Sequence, residues 1–196
     1  PQRMAELACV DTFVVSLDGR EESNDRHRGK GNFKAATAAV EAAVSYGVPT
    51  VISATLTRTN IVDMDFLAKF SKEQKIRVQY SILYNSEEER VSEFEMNEEE
   101  TRQTIVRILG LKAAGYPIYY SDNVLKTTLH WPEKISKRLA SLSASQIKKK
   151  FKPVRCYHGR IKFQIDADGR VIECWATDHA DAPRIQDHGI IGLRII

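Results

Sequence analysis

Two groups of residues in this 196-residue chain have types and spacings suited to chemistry. The first begins with Ser16, Asp18 and Gly19 and continues through Arg26, His27 and Arg28 to Gly29 and Gly31. Ser16 to Gly19 closes a short run of bulky residues, Phe13 to Leu17, where apolar gives way to polar. In α/β folds ligands sit at the carboxyl ends of strands. The loop that follows is polar and about a dozen residues long, a length often tied to function. It combines flexible backbone with positive charge. Its plain structural reading is a solvated connection between a strand and a helix. The second group is Cys156 and Cys174, spaced C-x12-G-x4-C around Gly169. Asp166-Ala-Asp-Gly169 reads as a turn between Arg160–Asp166 and Arg170–Cys174, so the cysteines frame a β-hairpin. With the turn centred near Ala167 and Asp168, Cys174 pairs with about Ile161, and Cys156 lies roughly 16 Å further along a straight strand. That disfavours a disulfide across the ladder. A thiolate metal or iron–sulfur site built from hairpin and loop is more natural, but two cysteines do not complete one. His158, Asp178 and His179 are near enough in sequence to help a zinc ion, and two free buried thiols remain an equal reading.

The elements that must position these groups follow from periodicity. Phe13 to Leu17 reads as a buried parallel strand within residues 12–17. A helix is expected over 33–46, rich in alanine, with Gly47 as its stop. Thr50 to Leu56 is β-branched and apolar, a second strand. Asp63 or Asp65 is placed to cap a helix over 63–74, whose apolar set is Phe66, Leu67 and Phe70. Ile76 to Tyr84 gives a third strand. A strand–helix period of roughly 30 residues argues for a parallel sheet with right-handed crossovers. The acidic run from Asn97 to Glu100 is a helix start, with Asn97 as cap and glutamates in the first turn. That helix runs to Ala114, Ile118-Tyr-Tyr forms another short strand, and Ser121 or Asp122 caps a further helix broken at Trp131-Pro132.

Composition narrows the class. Twenty-nine basic and 26 acidic residues leave a formal charge of +3, too balanced to argue for nucleic acid or membrane surfaces. The run Lys148 to Lys152 lacks interleaved aromatics and reads as a solvated helix face or linker. No apolar run approaches the roughly 20 residues of a spanning helix, and no signal peptide is evident. Three cysteines are no disulfide framework, which points to a reducing, cytoplasmic setting.

The words Ser16-Leu-Asp-Gly, Asn24-Asp, Arg28-Gly, Gly31 and Phe33, in that order and spacing, resemble the fourth strand and following loop of radical S-adenosylmethionine (radical SAM) enzymes. The similar group carries a SPASM or twitch domain after its barrel. Cys156-Tyr-His-Gly-Arg, Ile165-Asp-Ala-Asp-Gly-Arg-Val and Cys174-Trp resemble the opening hairpin of that domain. The resemblance spans residues 5–193. It implies an α/β fold: a partial (βα) TIM-type barrel with parallel strands over 1–132, a linker or helical segment over 133–155, and a small β-hairpin subdomain over 156–196.

The resemblance also implies roles. Ser16 and Asp18 would lie near the SAM ribose, and Arg28 would meet the SAM carboxylate, which suits a guanidinium fork. Thr57 and Asn60, with Ser81 to Leu83, would lie near adenine and ribose. Cys156 and Cys174 would open an auxiliary iron–sulfur site. The chain departs from the family in two places. The C-x3-C-x2-C loop that holds the catalytic [4Fe–4S] cluster is missing, as is the Gly-Gly-Glu-Pro-like strand end that binds the SAM amine; Cys9 stands alone. The cysteines expected after Cys174 are also absent. Three or four parallel strands cannot close a barrel and leave open edges.

The resulting expectation is a fragment, opening on Pro1, of a radical SAM oxidoreductase or maturase, inactive alone. The parent would cleave SAM reductively to a 5′-deoxyadenosyl radical and abstract hydrogen in peptide modification or cofactor biosynthesis. Its partners would be SAM and a peptide or small-molecule substrate, with no nucleic acid and no membrane. The alternative is a non-catalytic α/β binding or scaffold domain that pairs with another chain. A small enzyme using phosphate chemistry at Gly19 to Gly31 ranks last, because no G-x4-G-K-[ST] stands there.

Overall fold

The computed structural model describes residues 10–83, 93–131, 164–166 and 168–172. Two units divide the chain, Pro1–Lys148 and Lys149–Ile196, and each is described by itself. The first contains β1 (Phe13–Ser16), α1 (Glu21–Arg28), α2 (Asn32–Ser45), β2 (Thr50–Leu56), a 3-10 turn (Ile61–Asp63), α3 (Met64–Glu73), β3 (Arg77–Ile82), α4 (Glu98–Ala113) and α5 (Asp122–Leu129). The second contains β4 (Gln164–Ile165) and β5 (Val171–Ile172).

Strands β1, β2 and β3 form one parallel sheet in sequence order. The expected fourth strand is reduced to a single parallel bridge, Val78 to Ile118, with Pro117 O and Tyr119 N–H bonded to the Val78 backbone. Among the described residues the sheet is therefore open, and barrel closure is not part of the observed architecture.

Strand parity divides the side chains between two faces. Val15, Ile52, Ala54, Leu56, Val78 and Tyr80 share one face and are buried with Val40 of α2, Met64 and Leu67 of α3, and Ile105 and Ile108 of α4. Each aliphatic side chain fully buried there contributes about 1.5–3 kcal/mol. The Tyr80 hydroxyl keeps a hydrogen bond to Met64 O at 2.7 Å, and burial raises its pKa. The opposite face is built differently. The register aligns Ser16, Ser53 and Gln79 across the sheet, and Thr55 beside Ser81. These residues are exposed or half-buried, and Val14 on the same face of β1 is 56% exposed. The helix-facing side is apolar, and the other side turns polar toward its carboxyl end, from Val14, Val51 and Arg77 to Ser16, Ser53, Gln79, Thr55 and Ser81.

The structure corrects the stretch after β1. The presumed dozen-residue loop contains α1, a helix with no apolar stripe. Glu21 and Glu22 stand in its first turn and Arg26, His27 and Arg28 in its last, matching the helix dipole at both ends. Gly29 (φ 96°) and Gly31 (φ 83°) then turn the chain into α2. The first turn of α2 is satisfied from outside: Asp25 of α1 accepts from Gly31 N–H (2.5 Å) and Phe33 N–H (2.7 Å).

Other elements fall near their expected places. Asn97 and Glu100 form a reciprocal capping box at the start of α4, with contacts of 2.7 and 2.9 Å. Ser121, not Asp122, caps α5. Asp63 stands at the N-cap position of α3 but makes no cap; its carboxylate pairs with Arg20 instead. In the second unit β4 and β5 are antiparallel, Gln164 opposite Ile172 and Ile165 opposite Val171. That places the turn centre at Asp168, half a residue later than a simple two-residue turn gives.

Candidate functional site

The carboxyl ends of β1 and β2, with α1 laid beside them, form the most densely bonded polar region described. It begins where Leu17 N–H still bonds Ser53 O and the backbone then turns away. Asp18 follows, 3% exposed. Its Oδ1 accepts from Thr55 N–H at 2.8 Å, tying the end of β1 to β2. Its backbone N–H donates to Asn24 Oδ1 at 3.0 Å, and its carbonyl accepts from Asn60 Nδ2 at 2.8 Å. The nearby helix α1 and the distant stretch from Thr55 to Asn60 thus converge on one aspartate.

Arg28, in the last turn of α1, lays one edge of its guanidinium against this carboxylate. Nε donates to Asp18 Oδ2 at 2.7 Å and Nη2 to Oδ1 at 3.1 Å. The Arg28 side chain is 28% exposed against 4% for Asp18. The pair therefore runs from the interior outward, with the arginine at the solvent end. Beside it, His27 is 10% exposed, with Nδ1 3.9 Å from Asp18 Oδ2. Its Nε2 contacts Thr59 Oγ1 at 3.0 Å, and its ring meets Phe94 edge-on at 5.1 Å between centroids.

Asn60 is fully buried and uses its whole amide. Oδ1 accepts from Thr57 N–H (2.7 Å) and Thr57 Oγ1 (3.1 Å); Nδ2 donates to Asp18 O and Thr55 O, both at 2.8 Å. All four bonding positions of the side chain are occupied within the chain. Asn24, also fully buried, bridges Asp18 to Asn32.

The structure brings Asp18, Arg28 and Asn60 into one network and places Ser16 and Ser81 on the open polar face of the sheet. Ser81 Oγ is 3.5 Å from Gln79 Nε2, and Ser16 Oγ has no hydrogen bond among the described residues. Sequence reasoning missed Asn32, Ser53, Gln79 and the Arg20–Asp63 pair, and gave Asn24 no role beyond its place in the resemblance. Ser53 and Gln79 carried a usable signal, since strand alternation puts them on the face of Ser16 once the register is known. Asn24 carried none.

Charge in this region is set locally. The Phe33 N–H bond, with help from the Gly31 N–H, holds the Asp25 carboxyl below its ordinary value of 3.8. The hydrogen bond from Arg58 does the same for Glu100.

Cys156, Cys174, His158, Asp178 and His179 lie outside the described residues. Among the described residues no three His, Cys, Asp or Glu side chains are grouped to hold a metal ion. The chain has three cysteines, fewer than the four thiolates of an all-cysteine cluster, so an auxiliary cluster at Cys156 and Cys174 would need further ligands. A separate open cavity of about 370 Å³ lies at the other end of the sheet, lined by Val44, Val48, Lys75, Ile76 and Arg77.

The chain is similar in fold to SuiB of Streptococcus suis. Two crystal structures, one of SuiB and one of SuiB bound to S-adenosylmethionine, each match with a TM-score of 0.57 and 16% identity. The match covers 88% of this chain and 40% and 39% of the two SuiB chains, so this chain spans about two fifths of the length of SuiB. At that identity the likeness to SuiB is one of fold. No family model and no curated protein matches the sequence. No helix among the described residues is long and apolar enough to cross a membrane.

Proposed function

We propose that this chain is part of a radical SAM enzyme of the SPASM or twitch group, and that the carboxyl ends of β1–β3 are one wall of its SAM site. The observation that carries the reading is the fold shared with SAM-bound SuiB, combined with a half-exposed arginine held at the end of β1. In this reading Arg28 takes the SAM carboxylate, and the hydroxyls of Ser16 and Ser81 face the ribose and adenine. Asp18 and Asn60 complete the wall. The residues fit such a ligand: a guanidinium edge for a carboxylate, and hydroxyls along the polar sheet face for a sugar.

The β4–β5 hairpin lies between Cys156 and Cys174 in sequence, which supports assigning those cysteines to an auxiliary iron–sulfur site. The core cluster needs ligands this chain does not contain, so activity belongs to the whole protein. SAM and a reduced cluster would together supply hydrogen abstraction from a peptide or small-molecule substrate. Nothing in charge or composition favours nucleic acid or membrane partners, and a cytoplasmic setting fits the cysteine usage.

The test is SAM binding by the full-length protein under anaerobic conditions, comparing the parent with Arg28→Ala and Arg28→Lys. Losing a charge-assisted contact costs about 1.5–3 kcal/mol, or about 10–150-fold in affinity. Alanine should lose that much, and lysine should regain only part of it, because an ammonium cannot reproduce the fork. Parent-like binding by both folded variants refutes the assignment of Arg28 and leaves it a solvated charge; a parent that binds no SAM favours the non-catalytic α/β domain instead.

A further inference from the structure

We infer that Asp18 is a positioning residue: it fixes Arg28 so that one guanidinium edge stays open to a carboxylate, and it does not itself touch the ligand. This inference rests on the SAM reading above and changes what Asp18 is for. The family resemblance puts Asp18 beside the ribose. The structure leaves its carboxylate little capacity for that. Oδ1 already accepts from Thr55 N–H and Arg28 Nη2, and Oδ2 accepts from Arg28 Nε with His27 Nδ1 beyond. The side chain is 4% exposed. The one acceptor position left, on Oδ2, is buried on the side of His27, away from where a ribose could enter without disturbing the pair.

Arg28 is the complement. A guanidinium has five N–H donors arranged along two usable forks. Asp18 occupies the side fork, Nε with Nη2. The end fork, Nη1 with the second hydrogen of Nη2, has no partner among the described residues. The side-on pair stops rotation about the last bonds of a long side chain, so a carboxylate at the end fork meets a donor pair already in place. The burial gradient points the same way, with Asp18 inside and Arg28 half-exposed. Asp18 is itself anchored to β2 through Thr55 N–H, to α1 through Asn24 and to the Asn60 turn, so an arriving carboxylate does not displace it. Orientation is thus passed from the sheet to Asp18, from Asp18 to Arg28, and from Arg28 to ligand.

The test uses two probes on the full-length protein: SAM, and decarboxylated SAM, which keeps the sulfonium and adenosine but lacks the carboxylate. The variants are Asp18→Asn, Arg28→Ala and the double variant. Asn keeps an oxygen for Thr55 N–H and loses the ionised pair with Arg28. Asp18→Asn is expected to weaken SAM by about tenfold and leave decarboxylated SAM unchanged; in the Arg28→Ala background it should do nothing further. Any metal contribution common to both variants cancels in the comparison. Equal weakening of both probes means that Asp18 contacts the adenosine part, and overturns the inference while leaving the SAM site standing. A parent that binds no SAM overturns the site and the inference together. A measurement on the parent needs no variant to fold: the Arg28 Nε–H nitrogen resonance should keep its protection from solvent exchange when SAM binds, while the Nη signals shift. Loss of Nε–H protection on binding shows that Asp18 lets go, and refutes the role proposed.

Discussion

Replacing Asn60 separates a residue that holds the site from one that touches ligand. Its amide makes four buried hydrogen bonds, all to groups of this chain and three of them to backbone. A typical bond contributes about 1 kcal/mol net, and a buried partner left unsatisfied costs about 1–3 kcal/mol. Asn60→Ala strands Thr57 N–H and the carbonyls of Asp18 and Thr55, and water entering the vacated space recovers part of the loss. A destabilisation of about 2–4 kcal/mol is expected. Asn60→Asp is the sharper perturbation. It keeps an acceptor for Thr57 N–H but turns an oxygen toward two carbonyls that were held at 2.8 Å. A buried charge without a partner costs about 3–5 kcal/mol, so the isosteric change should cost more than the truncation at pH 7.5. The sign of its pH dependence follows. The introduced carboxyl has a folded-state pKa raised by burial and by the carbonyls. Its neutral form is tolerated at low pH and the stability is lost as pH rises through that value. Urea unfolding of the parent and both variants at pH 5 and pH 7.5 measures this, with unchanged m-values confirming a common unfolding reaction. Asn60→Asp more stable than Asn60→Ala at pH 7.5, or either variant within about 0.5 kcal/mol of the parent, refutes the reasoning.

Two further outcomes follow from the same region. The folded-state pKa of Asp25 is depressed by the Phe33 and Gly31 N–H bonds, so its contribution is complete above the ordinary carboxylate value and lost as pH falls through the folded one; the Tm gap between parent and Asp25→Ala should shrink from pH 7 to pH 3, and a constant gap contradicts the assigned cap. A Cβ added at Gly19 would stand 2.6 Å from Asp63 Oδ2, the atom that accepts Arg20 N–H, so Gly19→Ala should cost about 1–3 kcal/mol. In an Asp63→Ala background the carboxylate part of the clash is gone while the Cβ contact at 3.1 Å stays, so the change should cost measurably less there, and equal costs in the two backgrounds count against the clash.

The strands, the order of the helices and the acidic start of α4 were legible because they rest on local signals: β-branched runs, alanine-rich periodicity, and Asn97 as a cap before a first turn of glutamates; the reciprocal bond from Glu100 came from the structure. Helix α1 was not legible because its residues, Glu21 to Arg28, include no apolar stripe; its stability comes from end charges and from Asn24 and Asp25 bonding outside the helix. The site was legible in part. Ser16, Asp18 and Arg28 stand out by type and by position after a strand. That Asp18 spends its carboxylate on Arg28 and Thr55, or that Asn60 is saturated, depends on contacts between residues up to about 40 positions apart. Alternation showed that β1 had two faces but not which face the helices would take. The pairing register decides that, and with it the polar row Ser16, Ser53 and Gln79.

The unequal ladders of the sheet imply an order of assembly. β2 and β3 are paired over six positions, whereas β1 meets β2 over four, and the loop closed by Val51 with Arg77 is shorter than that closed by Val14 with Val51. Chain closure favours the shorter loop by a few tenths of a kcal/mol, and the longer ladder adds to that preference. The β2–α3–β3 unit is therefore the natural nucleus, and β1 with α1 condenses onto it afterwards. By the same account β1 and α1 open first in native-state exchange. The arginine fork sits on this last-formed piece. Under the SAM reading, a ligand that binds only the closed form would hold this piece against opening and raise the protection of the β1 amides.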